Sequence, residues 1–449
     1  MSKFNCTEFN ETSSAAWKQK IQVDLKGADY NNTLLWHTND GITVKPFYHQ
    51  DENIPTANIT TNHWNIAQHI LVTNTSQANT LALDAVKKGA EALVFEIKID
   101  LDFTHLLKGI DTNIIEFQFL LHNLNETSIH SLLKLNLPHC FVNIDPIGHL
   151  AQTGNWHHNL KKDHQIIDDL VKKYPTKNIL SIDTRVYQNA GATTTQQLAY
   201  AIAHVNEYFN HFKTNTLPNI QFITATGSNY FFEIAKIRAI KLLFKTICTE
   251  YKATPKCNIL SFPSNRNKTI YDYNVNLLRT TTECMSSILG GANTICNLPY
   301  DTIYHTTNDF GDRIARNQLL VLKNESAFNV VSNPADGAYY IEAITQQLAE
   351  KALAIFKSIE QSGGFLKQLK EGTIQRKIKE SALEEQKQFD NGTLVLLGTN
   401  KHPNEQDKMK HDLQKQPFLQ KEVRKTLIPP IVARRLSEKL DQQRLQNEK

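Results

Sequence analysis

Paired cysteines, glycine-rich phosphate loops and long apolar runs are what this sequence of 449 residues lacks. Its six cysteines, Cys6, Cys140, Cys248, Cys257, Cys284 and Cys296, form no C-x-x-C pair, which excludes zinc-ribbon and thioredoxin-like chemistry. Cys140, Cys257 and Cys296 sit in apolar, strand-like runs and read as small buried hydrophobes of a reducing compartment. No run approaches about 18 consecutive apolar residues, so no membrane span is expected. Residues 1–20 are polar and mixed in charge, without the basic start and apolar stretch of a signal peptide, so the expected location is the cytoplasm. There is no G-x-G-x-x-G at a strand end, no G-x-x-x-x-G-K-[ST], no H-E-x-x-H and no G-x-S-x-G. The 17 histidines are scattered, and the one adjacent pair, His157-His158, would not share a helix face.

Strong charge of one sign is missing too. Lys and Arg number 49 against 45 Asp and Glu, a formal net charge of +4, far from the dense cationic surface of a nucleic-acid binder. Residues 401–449 hold twelve Lys/Arg against seven Asp/Glu, so the basicity belongs to the C-terminal tail and the body is close to neutral. What is present is apolar content, 40% of residues, enough for a large core.

From residue 68 onward the pattern is regular. Eight short runs rich in Val, Ile and Phe fall at 69–73, 92–97, 115–120, 140–145, 179–183, 221–225, 258–262 and 294–298. They are near-continuously apolar, as strands buried on both faces are. Most precede a segment of helical spacing: 77–88, 193–209, 230–250, 272–289 and 312–323, with the weakest, 103–108, after the second run. Eight β-then-α units predict a (β/α)8 TIM barrel, with an open doubly wound sheet as competitor. A long helix is expected at 339–361, stopped by Gly363-Gly364, then a charged helix at 365–389, a short apolar run at 393–397 and a helix from Val432. Residues 1–62 read as an arm whose Trp17, Trp36, Phe47 and Tyr48 need a surface to pack on, either the chain's own barrel or another body.

Catalytic groups of such barrels lie at the C-terminal ends of the strands. Two pairs stand out there. Asp145 with His149 could form an acid/base pair, and Asp183 with Arg185 could hold an anion. Structural readings are open for both: Asp145 before Pro146 suits a turn, and Asp183 with Arg185 suits a local ion pair. No reaction centre is evident from the residues alone.

Several segments, taken together, resemble a known family. The arm Trp17 to Tyr30, with Leu25-Lys26-Gly27-Ala28-Asp29-Tyr30, and Gly41-Ile42-Thr43-Val44-Lys45-Pro46-Phe47-Tyr48 come first. Asn189-Ala190-Gly191-Ala192-Thr193 and Phe232-Glu233-Ile234-Ala235-Lys236-Ile237-Arg238 follow. Then come Leu278-Arg279-Thr280-Thr281, Leu298-Pro299-Tyr300-Asp301, Arg313-Ile314-Ala315-Arg316-Asn317 and the run from Asn333 to Glu342. In this order, from about residue 15 to 365, they resemble methylmalonyl-CoA mutase subunits. The resemblance implies a barrel through which an acyl-CoA threads its pantetheine arm. It also implies a cobalamin domain whose D-x-H-x-x-G supplies the lower cobalt ligand. This sequence has no Asp-x-His, and residues 366–449 read as linker and charged helix, so no complete cobalamin domain is expected.

The catalytic positions depart from the family pattern. The family's Trp-Thr-Ile-Arg-Gln-Tyr stands here as Trp64-Asn65-Ile66-Ala67-Gln68-His69. Ala67 replaces the Arg that pairs with the substrate carboxylate and has no donor for it. His69 replaces the active-site Tyr. Val186 replaces a catalytic His, and Asn219 and Gln221 fall at the Arg and Ser near the sixth strand. Asn65, Ala67, His69 and Val186 are therefore expected to be degenerate, with no catalytic, cofactor or metal residue on this chain. The resemblance implies the non-catalytic small (β) subunit of a heterodimeric methylmalonyl-CoA mutase. Adenosylcobalamin would sit on a homologous catalytic large (α) subunit, with neither nucleic acid nor membrane as partner. The alternatives are the barrel chain of a split acyl-CoA mutase and a non-enzymatic acyl-CoA-binding barrel. The expected segments are an arm over 1–62, the barrel over 63–365 and the tail over 366–449.

Overall fold

The computed structural model describes residues 11–57, 59, 63–212, 217–419 and 424–448. Cys6 lies outside the described residues. The eight apolar runs become eight parallel strands, Asn65–Val72, Ala92–Ile97, Glu116–Leu121, Cys140–Ile144, Asn178–Asp183, Ile220–Thr226, Cys257–Pro263 and Thr294–Cys296. They pair in chain order, and the last closes on the first through Thr294 opposite Asn65 and Cys296 opposite Ala67, so the sheet is a closed barrel. The open sheet is thereby excluded. Closure buries both faces, which is why the strands carry no polar alternation on their outer side. Outward residues such as Ile66, Ile70 and Val72 pack under the helix ring in the main core.

The helices lie close to the segments of helical spacing, and side chains cap their starts. Asn74, Asn125, Asn159 and Asn308 each accept a backbone N–H and start a helix. The helices Tyr230–Glu250 and Tyr339–Gln361 have the expected bounds. The charged segment after Gly364 differs. Gly372, at φ +75°, divides it into Phe365–Lys370 and Thr373–Asp390, because a left-handed residue cannot continue a helix. The short apolar run 393–397 makes a turn with one bridge, Leu397 to Lys401. The last helix begins at Glu438, not at Val432. Past Gly364 the described residues contain helices, turns and that one bridge, and no further sheet.

The arm packs on its own chain. Its helix Ser14–Asp24 buries no residue, but Trp17 stacks on Phe47 at 4.2 Å. Trp36 meets Phe232 at 5.7 Å and Tyr48 meets Tyr340 at 5.5 Å, both on the helix ring. Asp40 is pinned by the Thr195 N–H at 2.6 Å, and Asn39 and Gln388 exchange two amide hydrogen bonds. Trp17 and Trp36 keep nearly half their surface exposed.

Most of the tail is exposed, but one stretch of it is anchored on the barrel. Between Arg424 and Leu436 it crosses the C-terminal mouth of the barrel as a strap without regular secondary structure. Ile428 and Leu427 donate to Gly154 O, Ile431 to Ala151 O, Arg434 to Asn189 O and Leu436 to Arg266 O. Ile428 and Ile431 join the main core. Arg435 is buried, with its guanidinium on Asp441 at 2.6 Å and on the Lys268 carbonyl at 3.1 Å. Among the described residues no helix is long and apolar enough to cross a membrane.

Candidate functional site

Below the mouth the barrel is filled by side chains. On one side lie Ala67, Ala92, Val94, Ile223, Leu260, Phe262 and Cys296 in one apolar cluster. On the other, buried amides are ordered by a carboxylate. Glu116 accepts from Asn65 Nδ2 at 3.0 Å, Thr294 Oγ1 at 2.6 Å and Gln118 Nε2 at 2.7 Å. Because an ionised carboxylate only accepts, Gln118 must offer its Nε2 to Glu116, and its Oε1 is left to accept. It does so from Asn143 Nδ2 at 2.9 Å and from Gln221 Nε2 at 2.5 Å. One carboxylate thus fixes the orientation of four amides on four strands, Asn65, Gln118, Asn143 and Gln221.

Above this floor is a cavity of about 570 Å³, walled by strand ends and the loops after them and covered in part by Pro417, Ile431 and Arg435 of the tail. Three polar groups face it. Glu96 is bound by His69 Nε2 at 3.0 Å and His122 Nε2 at 2.8 Å, with Lys98 at 3.3 Å. Burial would raise its pKa, but the hydrogen bonds from His122 and His69 outweigh it and hold the carboxyl well below the usual carboxylate range. The rings of His149 and His157 stack at 3.6 Å. Burial, followed by the facing His157 ring, pushes His149 down to about 4. Asp183 grips Arg185 through Nε at 2.9 Å and Nη2 at 2.6 Å, and the guanidinium lies 4.6 Å over the Phe262 ring.

The structure does not pair Asp145 with His149. Asp145 caps the helix Pro146–Thr153 through Gly148 N–H at 2.9 Å and accepts from Tyr208 OH at 2.8 Å and Asp183 N–H at 3.0 Å. His204 Nε2 lies 2.9 Å from it as an ion-pair contact. Asp183 and Arg185 form a local ion pair that spends the Nε–Nη2 edge of the guanidinium on Asp183.

His69 and Val186 both line the cavity. Ala67 lies one layer beneath His69 in the apolar cluster, and Asn65 lies at the barrel bottom on Glu116. Asn219 is at the entry to its strand, bonded to Asn178 Oδ1 at 3.1 Å, and Gln221 is in the amide layer, so neither reaches the mouth. Sequence reasoning missed Asn143, Ser181, His122 and His157 as cavity residues. The two-residue period of the strands puts Ser181 beside Asp183 on the inner face, so that signal was present. The contacts of Ile431 and Arg435 had none. Among the described residues no group of three or more His, Cys, Asp or Glu is placed to hold a metal ion.

Comparison with known proteins agrees with this architecture. The profile of the family described as methylmalonyl-CoA mutase matches residues 130–447, so the match runs through the strap and last helix and beyond the motifs that end near 365. The chain is 34% identical over 441 residues to the methylmalonyl-CoA mutase small subunit of Porphyromonas gingivalis, covering 89% of this chain and 71% of that one. The small subunit of Streptomyces virginiae is 25% identical over 439 residues, 88% of this chain and 71% of that one. The large subunit of Propionibacterium freudenreichii subsp. shermanii is 32% identical over 238 residues, 51% of this chain and 33% of that one. With the family profile on more than half its length and a full-barrel relative at this identity, the chain belongs to the methylmalonyl-CoA mutase family.

Proposed function

We propose that this chain is the non-catalytic small subunit of an adenosylcobalamin-dependent methylmalonyl-CoA mutase. It supports a homologous large subunit that interconverts (R)-methylmalonyl-CoA and succinyl-CoA in the cytoplasm. The relatives named small subunits support the subunit role. The observation that carries it is the filled barrel. Gln118, Gln221 and Asn143 are almost fully buried and bonded to one another where the family resemblance implies a threaded pantetheine arm. Ala67 offers no donor to a substrate carboxylate, His69 is committed to Glu96, and Val186 cannot hydrogen-bond a thioester oxygen.

The residues present do not fit cobalamin. The sequence has no D-x-H-x-x-G, and the strap at Ile431 and Arg435 lies over the mouth that a corrin would have to face. The cofactor is therefore assigned to the large subunit. In this reading residues 1–62 are the arm, 63–365 the barrel and 366–449 a tail that partly covers its mouth. Purification of this chain with and without a homologous large subunit, followed by assay with adenosylcobalamin, tests the proposal. The two chains should co-elute and convert substrate together, while this chain alone should not. Conversion by this chain alone at the rate of the pair overturns it.

A further inference from the structure

The cavity at the mouth retains binding features that a sealed, unused site would not need. Its floor is Asn143 and Ser181, both more than nine-tenths buried. Asn143 Oδ1 and Ser181 Oγ have no hydrogen-bond partner among the described residues, and both residues line the cavity. A buried polar atom left without a partner is costly, so such atoms at a cavity wall point to a donor that enters from the cavity.

The backbone at Asn143 is unusual as well. It has φ +53° within a strand, at the point where the register shifts between Phe141 and Ile144. A bulge of this kind re-aims a side chain, and a non-glycine residue held there is strained unless its surroundings require it. The amide cannot relieve itself by flipping. Its Nδ2 is held by Gln118 Oε1, whose orientation is set by Glu116, so Oδ1 is an acceptor that needs a donor.

Charge decides the ligand class. The lining cations Arg185 and Arg435 are closed on Asp183 and Asp441, each at 2.6 Å. Among the described residues each lining guanidinium is thus charge-balanced by its own carboxylate, which disfavours a carboxylate or phosphate ligand. The carboxylates are equally committed: Glu96 to two imidazoles, Asp145 to three donors, Asp183 to Arg185. Among the described residues no lining carboxylate is left unpaired to hold an ammonium. The cavity, about 570 Å³, is within the range of small-molecule sites.

We infer that the barrel mouth is a binding site for a small, uncharged, polyhydroxylated molecule whose hydroxyls donate to Asn143 Oδ1 and Ser181 Oγ beneath the C-terminal strap. This goes beyond the subunit role and does not depend on it.

The test uses the full chain, titrated by calorimetry and by ligand-observed saturation-transfer NMR with xylitol and maltose, and with succinate and coenzyme A for comparison. A thermal shift would mislead, because excluded polyols stabilise any fold. The expected result is saturable binding of at least one polyol and none of succinate or coenzyme A. Asn143→Gly removes the acceptor in a residue that adopts φ +53° freely, and Ser181→Ala removes only a hydroxyl. Each should weaken binding about ten-fold while leaving the circular dichroism spectrum unchanged. Absence of saturable binding by both polyols, undiminished binding by both variants, or tighter binding of succinate or coenzyme A overturns the inference. None of these outcomes bears on co-elution with a large subunit.

Discussion

At the scale of single residues, the mouth is governed by charges already paired or suppressed. Glu96 and His149 both make stability depend on pH, and in the same direction. The folded pKa of Glu96 is depressed, so its contribution is present above the ordinary carboxylate pKa and is lost as pH falls through the folded value. His149 is kept neutral down to about 4 by burial, by His157 and by the nearby His122, against the pull of Asp163 and Asp145. The unfolded chain takes up a proton first, so the folded state loses ground between about pH 6.5 and pH 4. Urea titrations over that range should show wild-type stability falling toward acid, with a shallower slope for His149→Gln; equal slopes would remove the imidazole pair from the account. The sequence showed Asp145 as a turn residue and Asp183 with Arg185 as an ion pair because both are local. It did not show Glu96 between His69 and His122, since that contact needs the register in which Val94 stands opposite His69 and Gln118.

At the scale of elements, strands and helices were legible from periodicity, and their bounds shift by only a few residues. The segments after Gly364 were less so. Gly372 could be read as a tolerated helical glycine, and only φ +75° makes it a break. The strap carries no periodic signal, as it is held by backbone hydrogen bonds to Ala151, Gly154, Asn189 and Arg266. Its anchor is the buried pair Arg435–Asp441, with Ser437 Oγ on the same carboxylate at 2.8 Å. Arg435→Met should strand that carboxylate and cost about 3–5 kcal/mol, whereas Arg435→Met with Asp441→Leu should recover most of the loss. Burial already raises the Asp441 pKa, so the deficit of the single variant should shrink as pH falls and the carboxyl takes up a proton. A double-mutant cycle by denaturant unfolding checks this, and strictly additive losses would contradict it.

At the scale of the whole molecule, the barrel is one cooperative body with a polar element running through it. Glu116, Gln118, Asn143, Gln221, Thr294 and Asn65 connect five strands. That network was invisible in sequence, because glutamines and asparagines inside apolar runs look like imperfections until the barrel closes around them. Gln118→Met keeps the volume but leaves the Asn143 and Gln221 amide donors without their acceptor. The expected cost is about 3 kcal/mol or more in equilibrium unfolding; a neutral variant would mean the network is dispensable.

The strap also orders events in time. The hydrogen bond from Asn155 Nδ2 to Lys425 O spans 270 residues of chain. During synthesis at about 5–20 residues per second, the barrel strands are complete while the strap is still unmade. A newly made barrel therefore passes through an uncovered stage in which the mouth and the seats of Ile428 and Ile431 face solvent. Docking of the strap therefore follows closure of the barrel, and a small molecule present at that moment can be covered by it.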